Sequence, residues 1–264
     1  MFSTPINQLI EHPFITGALL FAAVLLAIEA GRRIGIRRRL GGKEDAPGLG
    51  AIEGIVFALL GLIIAFSFSG AAQRFDARRD LIVNEANAIG TAQLRIDLLP
   101  AASQPAMHDA FNRYIASRIA AYERIANPDA FRAAVAESTL IQREIWGIAT
   151  AAGRRPDALP SANMLLLPAL NEMFDISAAR AFATLMHPPL VIHAMLIGLA
   201  LVASLLLGIG LSPRQRRAWL HPVSFALVLA GIIYVIIDLE YPRAGLIRID
   251  SFEDAVVRTS LKPQ

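Results

Sequence analysis

Residues 51–72 read AIEGIVFALLGLIIAFSFSGAA, and Glu53 is the sole charge among them. A helix of this length reaches about 33 Å at 1.5 Å per residue, enough for the ~30 Å hydrocarbon core of a bilayer. Three more stretches meet the same requirement: about Pro13 to Gly31, Pro189 to Leu211 and Trp219 to Leu239. No segment shows convincing period-2 alternation. The expected fold is therefore an all-α membrane protein, with four transmembrane helices and a helical extramembrane domain between the second and third.

Composition points the same way. Of 264 residues, 55% are hydrophobic and a further 18 are glycine, while charged residues make up 18%. Soluble domains run at roughly 45–50% apolar and a quarter charged. Mean hydropathy is +0.50. There is no cysteine, which excludes a disulfide scaffold. The net charge of +3 suggests nucleic acid at first, but Lys43 and Lys262 are the only lysines, and the arginines gather in short runs beside apolar segments. That is a membrane distribution and not a nucleic-acid groove.

The expected organisation is a first hairpin over 1–72, a helical domain over 73–186, a second hairpin over 187–241 and a tail over 242–264. The flank before the first segment lacks Lys and Arg, and no small-residue cleavage site precedes the charged run, so a retained helix is expected there in place of a signal peptide. Arg32, Arg33, Arg37, Arg38, Arg39 and Lys43 follow the first segment, and Arg214, Arg216 and Arg217 lie between the third and fourth. The positive-inside rule places both short loops in the cytoplasm of a bacterial inner membrane, with the N-terminus, the middle domain and the C-terminus outside.

The middle region holds twelve Arg against twelve Asp and Glu. Phe68, Phe75, Ile82, Ile89 and Ile96 recur every seven positions, which carries the second helix out of the bilayer to about Leu99, where Pro100 stops it. The companion seam (Arg78, Glu85, Ala92, Leu99) reads as poorly filled. Further helices are expected over about 105–125, from Asn127-Pro128 to near Gly153, and over about 161–185. The polar run Asn84, Glu85, Asn87, Thr91 and Arg95 reads as a solvated face or as contacts to other helices, with a ligand or ion vestibule as the sharper alternative.

Small residues at Gly54, Ala58, Gly61, Ala65, Ser69 and Ala72 form a stripe, with Ile55, Leu59, Leu62 and Phe66 expected opposite. Such a stripe serves helix packing within one bundle, or it borders a pore with Phe57, Phe66 or Phe68 as constrictions. Glu53, Arg74 and Arg78 are the candidate mouth charges. Interfacial pairing is expected for Glu29 and Glu53 beside Arg32 and Arg33, and for Asp238 and Glu240 near Arg74 and Arg180. His193 reads as a packed histidine, with no His or carboxylate three or four positions away. Gly48-Leu-Gly50-Ala-Ile-Glu-Gly54 falls short of a dinucleotide fingerprint because no strand precedes it. With no P-loop, HExxH or Gly-x-Ser-x-Gly, no catalytic residue, metal site or cofactor is assigned, and an enzyme is not expected.

The chain resembles a family of bacterial integral membrane proteins known as bestrophin-like. The likeness is carried by Gly61-Leu-Ile-Ile-Ala-Phe-Ser-Phe-Ser69, by Arg74-Phe-Asp-Ala-Arg-Arg79 with Glu85-Ala-Asn-Ala-Ile-Gly-Thr91, by Leu170-Asn-Glu-Met173 and by Pro242-Arg-Ala-Gly-Leu-Ile-Arg248. It implies kinship with bestrophins, which are pentameric channels of four membrane helices whose second helix lines the pore. A homo-oligomer passing inorganic ions is thus one expectation. Bestrophins keep the middle domain in the cytoplasm, the reverse of what the arginines indicate here. The alternative expectation is a non-conducting membrane protein whose helical domain senses or binds a partner.

Overall fold

The computed structural model describes residues 13–41, 49–125, 127–186, 188–211, 219–241, 246 and 247. Lys43, Arg214, Arg216, Arg217 and most of the tail motif over 242–248 lie outside the described residues. Seven helices follow one another, with no strand among the described residues: α1 (Pro13–Leu40), α2 (Leu49–Leu94), α3 (Gln104–Glu123), α4 (Pro128–Ala152), α5 (Pro160–Leu185), α6 (Leu190–Gly210) and α7 (Leu220–Glu240). Four helical stretches are long and apolar enough to cross a membrane: Phe14–Leu40, Gly50–Leu98, the run Pro160–Gly210 that includes α6, and Leu220–Glu240.

Two helices extend past their apolar segments. α1 continues through the arginine run to Leu40 and carries Arg37, Arg38 and Arg39 in its last turn. Arginine is a good helix former, and its charge suits the negative end of the helix dipole. α2 runs for 46 residues without a break. A 3-10 turn over Arg95–Leu98 then tightens it, and Leu99 turns extended ahead of Pro100.

The chain divides into two units, and the division falls inside α2 after Ala77. In the membrane unit, α1 packs on α6 and on α7. Leu20, Val24 and Ile28, one turn apart, meet Leu196, Ala200 and Ala203 of α6 and Leu229, Ile233 and Ile236 of α7 in a single apolar cluster. The α1–α6 contact is close because glycines stand where the helices touch. A Cβ on Gly31 would fall on the carbonyl oxygen of Leu205, and one on Gly208 on that of Ile28. With no side chain between them, the backbones meet directly, the small-residue packing common in membranes.

In the second unit, α2 turns Ala88, Ile89, Ala92 and Ile96 inward against Phe111 and Tyr114 of α3, Ile145 of α4, and Leu166 and Leu170 of α5. A smaller cluster joins Tyr122, Phe131, Ala134 and Ala181. The Asn127 side chain caps α4, accepting from the N–H groups of Asp129 and Ala130 at 3.1 Å each. Proline opens α4 and α5 at a first-turn position, where its missing N–H costs nothing. The seven-residue seam is buried at Ile82, Ile89 and Ile96, whereas Phe68 is 46% exposed. The companion seam is buried too, contrary to its sparse appearance: Glu85 is 2% exposed, Ala92 0% and Leu99 3%.

Replacing Gly208 by Ala is expected to force α1 and α6 apart and to cost about 1–3 kcal/mol. The same change at Gly198, where nothing lies within 4 Å of the new methyl, is expected to be neutral or stabilising by up to about 1 kcal/mol. Thermal unfolding in detergent checks the pair, and equal effects would refute the close-contact account.

Candidate functional site

α2 is the least covered of the apolar helices. Of its most apolar eighteen-residue window 6% is buried, against 33% for α7. The side that meets the rest of the membrane unit carries Val56, Phe57, Leu60, Ile63, Ile64 and Ala71. Phe57 stands edge-on to Phe225 of α7, with ring centres 6.3 Å apart. The small-residue stripe points elsewhere for most of its length: Gly54, Ala58, Gly61, Ala65 and Ser69 are all exposed, and Ala72 at its end is half-buried. A Cβ on Gly54 or Gly61 would meet no atom within 4 Å. Open glycines also occur in α6 and α7 (Gly198, Gly210, Gly231), but α2 repeats small residues along about four turns. Intrachain packing therefore does not account for the stripe. Nor are the bulky residues opposite it. At about 100° per residue, Ile55, Leu59, Leu62 and Phe66 flank it, and they too are exposed.

Two of the candidate mouth charges are engaged by other helices. Arg74 turns to α7 and donates from Nε to both Glu240 oxygens, at 2.8 and 3.1 Å, and from Nη2 to Oε1. Its guanidinium lies over Gly70, where no Cβ intervenes. Arg78, in the second unit, donates to the carbonyls of Ala183 and Met186 at the end of α5, at 3.3 and 3.1 Å. Glu53 is half-buried. Asp76 is exposed, and its spacings of seven, eleven and eighteen from Ser69, Ala65 and Ala58 put it on the stripe side of the helix. Asp76 is not among the candidates the sequence suggested, and its spacing from Ala58 is the signal that finds it.

The expected interfacial pairs form in part. Glu29 holds Arg32 and Arg33 at 2.8 and 2.9 Å. Glu240, 1% exposed, takes Arg74. Asp238 instead accepts the backbone N–H groups of Leu246 and Ile247, each at 3.0 Å. Arg180 belongs to the second unit and pairs with Glu85. His193 is half-buried in a cleft lined also by Arg74 and Glu240, groups that no search at three or four positions along the chain reaches. Among the described residues, no group of three His, Asp or Glu side chains is placed to hold a metal ion.

Glu85 is the main departure from the expected solvated face. Asn84, Asn87 and Thr91 are exposed as that reading requires, but Glu85 points into the unit between two arginines. Arg118 Nε reaches Oε1 and Arg180 Nη1 reaches Oε2, each at 2.6 Å. Arg118 also donates to Tyr122 Oη at 2.6 Å and to the Ser177 carbonyl at 3.2 Å, and the Arg180 guanidinium carbon lies 3.5 Å from the Tyr122 ring centre. Burial opposes the Glu85 charge, yet the two guanidiniums outweigh it and hold the carboxyl below the ordinary glutamate value. Arg95 also turns back to the chain, donating to the Leu165 carbonyl at 2.5 Å.

A lowered folded-state pKa gives stability that is present above the ordinary glutamate range, near pH 4.3, and is lost as the pH falls through the folded value. Glu85→Gln is expected to destabilise the second unit by about 3–5 kcal/mol at neutral pH, because two buried guanidiniums lose their charge partner. It is also expected to flatten the acid limb of the stability curve below about pH 5. Thermal melts from pH 3 to 8 check both effects, and an unchanged acid limb would contradict the assignment.

With this geometry in place, comparison with known proteins adds one match. A model of the Bestrophin-like domain matches residues 19–251. No curated protein and no solved structure matches the chain. The chain belongs to the Bestrophin-like family.

Proposed function

We propose that this member of the Bestrophin-like family is an oligomeric ion conduit, with copies of α2 around the axis and α1, α6 and α7 outside them. One observation carries the reading. The stripe Gly54, Ala58, Gly61, Ala65 and Ser69 stays exposed although three apolar helices of the same chain were at hand to cover it. Glycine costs a helix about 1 kcal/mol relative to alanine, so a repeated small face needs a partner or a lumen to explain it. Small side chains leave room at an axis, and bulky aromatic neighbours narrow it. On this reading Phe68, which is exposed, is the constriction; Phe66 opens on the cleft between α2, α6 and α7, and Phe57 is given over to its contact with Phe225. Asp76, and not Arg74, supplies charge at that mouth. The arginine bias places the second unit and both termini outside a bacterial inner membrane. No enzymatic activity forms part of the proposal.

The purified protein in liposomes is expected to pass small inorganic ions above the leak of empty vesicles. Because the chain contains no cysteine, single replacements report proximity directly. Ala65→Cys is expected to cross-link between chains under mild oxidation, and Leu60→Cys, 4% exposed within its own chain, is expected not to. Absence of flux from a cross-linkable oligomer would leave the second reading, a non-conducting protein whose second unit binds a partner. Exposed Leu140, Trp146 and Met164 on that unit favour it.

A further inference from the structure

A cleft of about 180 Å³ opens on the side of the membrane unit where α2, α6 and α7 meet. Two of its three walls share one gradient. α2 passes from Phe66 through Ser67 and Gly70 to Arg74 and α7 passes from Ile236 to Glu240, while α6, running the opposite way, passes from Leu196 back through His193 and Ile192 toward Pro188. Eight residues from Phe66 to Arg74 make the cleft about 12 Å long. One end is hydrocarbon-like and the other is charged, and the charged end lies at the limit of the membrane-spanning segments.

We propose that this cleft holds a phospholipid of the surrounding bilayer, with an acyl chain along Phe66, Leu196 and Ile236 and its phosphate on the outward edge of Arg74. A half-open recess between helices in hydrocarbon offers water few partners, so a lipid chain fills it. An occupant with one apolar and one polar end matches the two walls, α2 and α7, graded in the same direction. Arg74 supplies the polar contact. Its partner Glu240 is 1% exposed, but the Arg74 side chain keeps 42% of its surface open. Nε and Nη2 are engaged by Glu240, and the guanidinium fork is held over Gly70, so an oriented edge remains for a phosphate oxygen. Because Glu240 neutralises Arg74, the headgroup is held by directed hydrogen bonds and not by long-range attraction. Retention is therefore insensitive to salt and common to phosphatidylglycerol and phosphatidylcholine.

The test uses the full-length protein, delipidated in detergent and exposed in turn to phosphatidylglycerol, phosphatidylcholine, diacylglycerol and inorganic phosphate, with bound molecules counted by native mass spectrometry. The wild type is expected to retain either phospholipid about tenfold better than diacylglycerol, the effect of one charge-assisted contact, with little change between low and high salt. Arg74→Lys, which keeps a cation for Glu240 but loses the fork, is expected to remove that preference. Ser67→Phe, which fills the cleft, is expected to lower retention of every lipid about tenfold at an unchanged melting temperature. Ile192→Trp, on an exposed part of the wall, serves as a second plug should Ser67→Phe fail to fold. Three results would overturn the proposal: equal retention of diacylglycerol and phospholipid, inorganic phosphate bound as well as lipid, or plugged variants that hold lipid like the wild type.

Discussion

Hydrocarbon offers no hydrogen bonds, so each polar group carried into or beside it must be satisfied by the chain itself. That requirement shapes the arrangement of charges in the membrane unit. Glu240 is enclosed and takes Arg74 from α2, Asp238 is enclosed with two backbone N–H groups on Oδ2 while its Oδ1 has no partner among the described residues, and the partly exposed Glu29 holds the two arginines that follow it on α1. The apolar surface has no comparable obligation, since lipid covers it as well as protein does. A helix face left open in this unit is therefore tolerable, and what it faces is decided by side-chain size. The α1–α6 contact and the stripe of α2 use the same small residues to different ends. Gly31 and Gly208 are consumed by backbone contact, whereas Gly54 and Gly61 are left available.

Much of the fold was legible because its signals are local. Length and hydropathy mark the apolar segments, Asn127-Pro128 announces the start of α4, and Pro100 closes the long helix. The heptad of Ile82, Ile89 and Ile96 likewise marks the inward side of α2 without knowledge of what it meets. Glu85 misled for the opposite reason. Asn84 and Asn87 beside it are polar and exposed, and its partners lie 33 and 95 residues away, beyond any window that reads periodicity. His193 misled in the same way, since Arg74 and Glu240 come from other helices.

The stripe on α2 was visible as a pattern, but its orientation was not. Spacing tells which residues share a side of a helix and is silent on which side a bundle covers. The flanking row of Ile55, Leu59 and Leu62 shows the difference, because a sequence written on a line suggests two faces where a helix has a continuous circumference. Phe57, Phe66 and Phe68 look equivalent in sequence. In the fold one is spent on Phe225 and the other two remain at the surface.

The triad of Glu85, Arg118 and Arg180 also constrains how the second unit is made. Its members are contributed by α2, α3 and α5. A nascent chain that has emerged past Arg118 but not Arg180 holds a carboxylate and a guanidinium whose enclosure is incomplete. Phe111 and Tyr114 of α3 and Ile145 of α4 can already pack at that stage, but α5 still has to bring Leu166, Leu170 and Met173 to the core. The charged centre of the unit is thus completed only once α5 has been made, so a ribosome must deliver that helix before the Glu85 carboxylate has both of its cations.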